Sequence, residues 1–447
     1  MKKTDYAFSF PLEGLKTGLS GTGVLLYNAF TSSLAAMGQD EYRAYMDFCS
    51  EGVPIEDNNL IEQLRLGGFL IDDGYDEKQE LRLRLLGGRF QSSSLGLTIA
   101  PTSDCNFRCV YCYEKDRLRP SYMSEEVMAG VVDLLRKRAG DIKELSVAWY
   151  GGEPLLAFGV IEKLSAQFLA ICEENHIRYN AGIITNGSLL TRERVEKLNA
   201  LKVGFYQITV DGTRENHNRT RPFKGGGATY DLILDNIGKC YDLLPAVSLR
   251  VNVDKSSISA AEEIRSTLKA RGLDGKVRPY LGKITNDGND PALSSVCFTG
   301  REFARSLLSF LESGENGNDV WLSKFPAAKG NFCGADSLSS WVIDSDGMLY
   351  KCWNDIGKKN MAVGSLLTGE YMNPGAAYSY MTFDPTEDPV CSKCRFLPLC
   401  MGGCPNFRLK GNSGECCTTY KYELERFLRN AASAAANAGR GPEAAAV

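Results

Sequence analysis

Histidine is almost absent: the 447 residues contain only His176 and His217. A zinc site of mixed Cys and His ligands at fixed spacing therefore has little histidine to draw on. Charge of one sign is also lacking, with 51 Lys and Arg against 55 Asp and Glu and a formal net charge of −4. Such a balance exerts no global pull toward nucleic acid or anionic lipid, and it disfavours a nucleic-acid partner. Long hydrophobic runs are missing as well. Stretches such as Leu95–Pro101 and Ala246–Val253 fall far short of the roughly 20 residues a membrane helix needs, and Met1–Leu12 lacks the apolar core of a signal peptide. The expectation is a cytoplasmic protein without a membrane partner.

Cysteine, in contrast, is abundant. The chain has fifteen, and a reducing compartment rules out reading them as a disulfide framework. Most fall in two tight groups, and clustered cytosolic thiols mean metal. The length is about three times that of a typical domain, so two or three packed units are expected.

Between Leu95 and Leu281 short apolar strands alternate with amphipathic helices. The strands are Leu95–Pro101, Leu145–Tyr150, Gly182–Thr185, Tyr206–Val210, Val247–Val253 and Val277–Leu281. The helices are Ser124–Lys137, Val160–Glu174, Arg192–Leu201, Tyr230–Leu243 and Ala260–Ala270; Ser124, Thr191, Thr229 and Ser259 offer side-chain oxygens as N-caps. This alternation demands a parallel α/β sheet with right-handed crossovers. Six strands are too few for an eight-fold barrel, so a partial barrel and an open doubly wound sheet both satisfy the pattern. In either, chemistry sits at the C-terminal strand ends, where Cys105, Gly151-Gly152-Glu153, Asn186-Gly187 and Asp211-Gly212 fall.

Residues 1–90 read differently. A hairpin (Val24–Ala29 and Thr31–Ala35), two short helices (Asp40–Cys49 and Asn58–Leu66) and a strand at Gly68–Asp72 make a winged helix-turn-helix order. Nine basic against fourteen acidic residues give this head a net charge of −5, which opposes phosphate binding. A peptide added as an extra strand at an exposed sheet edge fits better; a small domain that only packs on the barrel is the alternative. From about Cys297 periodicity fades and cysteines crowd. A helix is expected over Tyr420–Arg429, and the Ala-rich residues 431–447 read as a disordered tail.

The first cysteine group is Cys105-x3-Cys109-x2-Cys112, with Tyr111 before the last thiol. Three thiolates can hold three irons of a cubane and leave the fourth open; zinc is the alternative, but it generally wants a fourth Cys or His. This spacing, its place after the first strand and the downstream motifs resemble the radical S-adenosylmethionine (SAM) superfamily over roughly Leu95–Leu281. The resemblance implies a partial (β/α)6 barrel over residues 91–310. It further implies that SAM chelates the open iron and, after one-electron reduction, yields a 5′-deoxyadenosyl radical that takes a hydrogen atom from substrate. By position, Gly151, Gly152 and Glu153 match the motif that meets the methionine ammonium. Thr185 and Asn186 would lie near the ribose, with Arg250 and Asn252 at the SAM carboxylate or ribose. An electron donor such as flavodoxin or ferredoxin is implied.

The second group is Cys333-x13-Gly347-x4-Cys352, Cys391-x2-Cys394-x5-Cys400-x3-Cys404 and the Cys416-Cys417 pair. It closely resembles the SPASM extension of the superfamily, here residues 311–430, which holds two auxiliary 4Fe-4S clusters. The resemblance gives Cys391, Cys394, Cys400 and Cys416 (or its neighbour Cys417) to a distal cluster, and Cys333, Cys352 and Cys404 to an inner one. Cys297 is the candidate for the inner cluster's missing ligand, with a substrate thiolate or a simple core cysteine as alternatives. A zinc ribbon is the other reading of the Cys391–Cys404 run.

Head, barrel and extension together resemble maturases of ribosomally made peptides. The resemblance implies a Cys-containing precursor held by its leader, and a thioether formed between a cysteine sulfur and a carbon that has lost hydrogen. Other two-electron oxidations, namely a carbon–carbon or cyclophane crosslink or formylglycine formation as in sulfatase maturases, are the rivals; a non-catalytic iron–sulfur sensor is a third class. Sulfatase maturases typically place an aspartate after the second cysteine of the extension, where this chain has Trp353. His217, in Asp211-Gly212-x4-His217-Asn218-x2-Arg221-Pro222, is either structural or a substrate contact, whereas Cys49, Cys172 and Cys240 read as core.

Overall fold

The computed structural model describes residues 1–13, 23–286, 291–314, 317–411 and 415–438, which form two compact units. The first unites 1–89 with 299–332 and 383–447; the second joins 90–298 with 333–382.

In the first unit, β1 (Lys2–Lys3) pairs with β5 (Leu70–Ile71), while β2 (Ala7–Pro11), β3 (Gly23–Asn28) and β4 (Leu34–Gly38) make an antiparallel sheet in the order β2-β3-β4. Every residue of β3 is buried, because strand periodicity sends its side chains into two different cores. Val24 and Leu26 pack with Tyr45, Leu60 and Leu64 of the two short helices. Leu25 and Tyr27 pack instead with Leu397, Leu399, Leu424 and Leu428 from the far end of the chain. The head is therefore one side of a shared core, a grouping that its local winged-helix pattern does not announce. The helix Glu77–Phe90, not anticipated from sequence, contributes Leu81 and Leu85 to the same core.

The Ala-rich tail is a correction to the expected disorder. The last helix runs over Tyr420–Asn437, and Ala431, Ala432 and Ala435 are buried in the shared core. Alanine has the best intrinsic helix propensity, and its small side chain lets this helix approach closely. Residues 439–447 lie outside the described residues. Because Ala435 is fully buried, Ala435→Leu is expected to overpack the core and cost about 1–3 kcal/mol in chemical denaturation.

The second unit holds six parallel strands: β6 (Ser94–Ile99), β7 (Glu144–Trp149), β8 (Arg178–Thr185), β9 (Val203–Thr209), β10 (Val247–Val253) and β11 (Val277–Lys283). Three further strands, β12 (Ser340–Ile343), β13 (Met348–Tyr350) and β14 (Gly364–Ser365), extend the sheet beyond β6, giving the order β11-β10-β9-β8-β7-β6-β12-β13-β14. Each of the six lies beside its predecessor, with no reversal of direction of the kind a doubly wound sheet requires. The alternative left open by the sequence thus resolves to a singly wound, partial barrel. Ser124 and Thr191 cap their helices as expected, accepting from Val127 N and Arg194 N. Thr229 does not; its hydroxyl donates to the carbonyl of Arg221 instead. The Ala260–Ala270 helix starts at Ile258, after Ser257.

One stretch, Pro154–Glu174, is long and apolar enough to cross a membrane by length and composition. It is a core helix of this unit, with Ile161, Leu164, Phe168 and Ile171 buried.

Candidate functional site

At the C-terminal ends of the six strands lies a cavity of about 570 Å³. Ten of the eleven residues proposed for the first cysteine group and the SAM contacts line it: Cys105, Cys109, Cys112, Tyr111, Gly151, Gly152, Thr185, Asn186, Arg250 and Asn252. The exception is Glu153, which is fully buried. Its carboxylate accepts from Leu155 N (3.0 Å) and Thr185 Oγ1 (2.7 Å) on one oxygen and from Asn186 N (2.8 Å) on the other. Burial pushes its pKa up against these bonds. The acidic residue of the Gly-Gly-Glu turn therefore ties β7's exit to the end of β8, a brace rather than a group at the cavity surface. Thr185→Val, which removes one partner of this buried carboxylate, is expected to cost about 1–3 kcal/mol in denaturant unfolding.

The glycines have a local cause. Gly151 adopts φ +110°, and a Cβ on Gly152 would fall 2.1 Å from the Asp104 carbonyl oxygen and 3.2 Å from Cys105 N. A side chain would push the cysteine loop away, so the pair serves the loop's approach to β7.

That loop is clamped on its other side. Arg108 N donates to Pro222 O (2.9 Å), Val110 N to Thr220 O (3.0 Å), and Phe107 bridges to Phe223. Phe107 N donates to Cys105 Sγ at 3.4 Å. Backbone donation to sulfur is one of the devices that sets the behaviour of thiolate-held iron–sulfur clusters. Burial, followed by the charge of Glu153, pushes the Cys105 thiol up to about 12, and burial with Glu114 does the same to Cys112. Three thiolates here need a compensating cation. Among the described residues no three Cys, His, Asp or Glu side chains converge as a single ion requires, whereas a cubane takes each thiolate at a separate iron. The donor set fits a 4Fe-4S cluster better than zinc.

Behind the loop is a buried network that sequence reasoning largely missed. Tyr111 Oη donates to Asp211 Oδ2 (2.5 Å) and accepts from Arg221 Nη1 (2.8 Å) and Asn252 Nδ2 (2.9 Å). Asn252 also donates its backbone N to Asp211 Oδ1 (3.1 Å) and accepts from Arg250 Nε (2.7 Å). Tyr111 and Asn252 thus spend their polar groups on one another and on orienting Arg250. His217, fully buried, accepts from Asp211 N at Nδ1 (3.0 Å) and meets Thr229 Oγ1 at Nε2 (3.0 Å). Burial, helped by Arg221, lowers its pKa to about 2. It is a neutral structural ring and not a substrate contact. The Asp211–Pro222 motif was the available signal, but His217 drew notice while Asp211 and Arg221 do the work. Thr209, Gln207 and Lys283 also line the cavity, and no short motif marked them. Glu114 joins them there, its carboxyl raised to about 7 by burial.

Trp353 lines the cavity and stacks on Tyr150 with ring centroids 5.5 Å apart.

Of the second cysteine group, Cys333, Cys352 and Cys297 belong to the second unit and the rest to the first. Cys391 opens a 3-10 turn whose N–H donates to Asp388 Oδ1 (2.8 Å), and Cys394 N returns to Cys391 O (3.0 Å). The thiols of Cys391, Cys394 and Cys400 lie in one another's fields. Cys417 acts on Cys400, and its sulfur accepts from Lys421 Nζ (3.3 Å). Cys416 is buried, with Cys404 the thiol that acts on it most and with its carbonyl accepting from Cys404 N (3.3 Å). Cys297 is half-buried at the end of the helix Pro291–Val296, its N–H donating to Leu293 O (3.0 Å).

The family model described as "Radical SAM superfamily" matches residues 99–268, the stretch that carries the loop, the brace and the network. Residues 99–268 form a radical SAM domain. The protein is a radical SAM enzyme. It is 24% identical over 373 residues to a cysteine-type anaerobic sulfatase-maturating enzyme of Clostridium novyi, covering 74% of this chain and 95% of that protein. It is 24% identical over 193 residues to the radical SAM cyclopropyl synthase TigE of Paramaledivibacter caminithermalis, 39% of each chain. Among solved structures, anSMEcpe with bound AdoMet and Cp18Cys peptide superposes with a TM-score of 0.59 at 21% identity, covering 77% of this chain and 98% of that one. SuiB of Streptococcus suis gives 0.52 at 16% identity, covering 93% and 98%. These structures share the fold.

Proposed function

We propose that this cytoplasmic enzyme modifies a ribosomally made, Cys-containing precursor peptide, joining a cysteine sulfur to a carbon from which hydrogen has been removed. Cys105, Cys109 and Cys112 hold the radical-generating 4Fe-4S cluster. When bound, SAM and the cluster supply a 5′-deoxyadenosyl radical able to abstract a carbon-bound hydrogen. The protein's own share is to orient and to exclude water. Glu153 and Thr185 hold the Gly151-Gly152 turn beside the cysteine loop, and Arg250, aimed by Asn252, presents its guanidinium to the cavity.

Thioether formation breaks one C–H and one S–H bond and makes one C–S bond. One hydrogen leaves with the 5′-deoxyadenosyl group, the other as a proton and an electron. Two auxiliary clusters, held by the SPASM cysteines, would supply an acceptor for that electron. Cys391, Cys394 and Cys400 belong to the distal one; Cys417, which shares their field, is favoured over Cys416 as its fourth ligand. Cys333, Cys352, Cys404 and Cys297 are assigned to the inner one. The head would take the leader by strand addition at β4, one of the two edge strands of its sheet.

The observation that carries the thioether reading over formylglycine formation is Trp353. It follows Cys352, stacks on Tyr150 and fills the cavity wall where sulfatase maturases carry an aspartate. The sulfatase-maturase reading is the second one, favoured by the anaerobic sulfatase-maturating relatives that match about 70% or more of the chain. A precursor deuterated at the side-chain and α-carbons separates enzyme from sensor: deuterium is expected in the released 5′-deoxyadenosine, and release of unlabelled nucleoside alone contradicts hydrogen abstraction from the peptide.

A further inference from the structure

Arg221 is a charged residue inside the barrel that the proposed function leaves without a task. It is only 7% exposed yet lines the cavity. Its backbone is fixed by N–H donation to His217 O (2.8 Å) and by the Thr229 hydroxyl on its carbonyl (2.7 Å). Its side chain lies against Phe107, with the guanidinium carbon 5.8 Å from the ring centroid. Nη1 donates to Tyr111 Oη at 2.8 Å. Nε, in contrast, is buried with no partner.

Such an arrangement is costly. A guanidinium stays charged at any physiological pH, and a buried donor left unmet penalises the fold. Tyr111 cannot accept more, since its oxygen already donates once and accepts twice. Asp211 is engaged by Tyr111, by Thr220 Oγ1 (3.2 Å) and by Asn252 N. Arg221's partner Tyr111 lies between Cys109 and Cys112 on the loop, and Arg221, Cys109 and Cys112 line the same cavity. Arg108 is turned to the carbonyls of Cys105 and Phe107, both at 2.7 Å. The neighbouring residues 220 and 222 clamp the backbone of the cysteine loop at Val110 and Arg108, so cation and loop are held as one piece.

We propose that Arg221 is a built-in counter-charge and N–H donor for the radical-generating cluster, acting from the Tyr111 side of the cysteine loop, and that it makes the cluster easier to reduce. The inference rests on the reading that Cys105, Cys109 and Cys112 hold that cluster. A fixed cation beside a cluster stabilises the reduced, more negative state, and hydrogen bonds to cluster sulfur act in the same direction. Tyr111 and Asp211 serve to hold the guanidinium in place.

The test is a redox titration of the reconstituted enzyme without SAM, followed by the electron-paramagnetic signal of the reduced first cluster. A variant lacking the SPASM cysteines Cys391 and Cys394 simplifies the signal if the clusters overlap. R221Q is expected to keep its iron and shift the midpoint negative, with R221K recovering part of the shift because it keeps the charge but not the planar fork. An unchanged midpoint in R221Q with iron retained overturns the proposal. So does a change confined to SAM affinity, which would make Arg221 a ligand for SAM instead. Should R221Q fail to fold, wild-type enzyme grown with ¹⁵N-arginine decides. Nitrogen coupling to the reduced cluster that disappears in R221K supports the proposal; a reduced-cluster signal without such coupling, or with coupling that R221K leaves intact, overturns it. Failure of the underlying reading looks different: the variant with Cys105, Cys109 and Cys112 replaced would then keep the full wild-type iron content.

Discussion

Replacing Cys105, Cys109 and Cys112 by Ala is expected to reduce dithionite-driven release of 5′-deoxyadenosine to background and to remove about four irons from a chain that otherwise carries about twelve. The effect is complete because no other group can take over. Among the described residues, no other cysteine and no histidine lines the cavity, and Glu114 is the one carboxylate among the residues lining it. The loop is also held by the Thr220 and Pro222 carbonyls on one side and packed against Gly151-Gly152 on the other. A loop held in this way loses its function with its ligands and not through disorder. The remaining irons, about eight, report the auxiliary clusters in the same experiment. Nucleoside release that persists in the triple variant contradicts the site; a wild-type content of only about four irons leaves the SPASM assignment without support.

A chain truncated before Phe90 is expected not to fold as the wild-type remainder does. Leu25, Tyr27, Leu81 and Leu85 are buried together with Phe325, Leu397, Leu424 and Leu428. Tyr27 Oη also donates to Pro326 O at 2.5 Å, and Phe8 lies 4.8 Å from Phe396 between the second and third thiols of the Cys391 run. Removing the head strips one wall from this core, and each large apolar side chain so exposed forfeits roughly 1.5–3 kcal/mol. For Phe325, Leu397, Leu424 and Leu428 together this is about 6–12 kcal/mol, comparable with the usual 5–15 kcal/mol stability of a domain. Limited proteolysis should therefore show cleavage throughout 299–332 and 383–438 in the truncated chain, together with loss of the iron assigned to Cys391, Cys394 and Cys400. A soluble, protease-resistant truncation with full iron content would make the head an independent module. A point change that leaves the core intact, placed on the edge strand β4, is the appropriate way to weaken peptide binding alone.

Local periodicity was enough to read the six barrel strands and the positions of the cysteine loop, the Gly-Gly turn and Asn186, because each depends on neighbours within a few residues. The order of the strands, and with it the choice between partial barrel and doubly wound sheet, depends on long-range pairing that periodicity does not carry. For the same reason the head reads as a separate winged helix although β3 is buried on both faces. Ala431–Asn437 looked disordered on composition; the core face that orders it comes from residues several hundred positions away. Glu153 was read by motif as a group facing SAM, yet its hydrogen bonds to Leu155, Thr185 and Asn186 turn it inward. In the Asp211–Pro222 motif, the rarity of histidine drew notice to His217. What decides the roles there is burial and partnership: a neutral ring bonded to backbone, and a cation with one unmet donor.

The central claim, a radical SAM enzyme that builds a thioether on a precursor peptide, is tested most directly by tandem mass spectrometry of a small Cys-containing precursor co-expressed with this enzyme. The expected product has lost two hydrogens per crosslink, keeps every sulfur, resists thiol alkylation at the linked cysteine and places the bond between that sulfur and a carbon of another residue. A cysteine that exchanges sulfur for an aldehyde oxygen, a crosslink that leaves all thiols free, or a precursor unchanged in mass would contradict it.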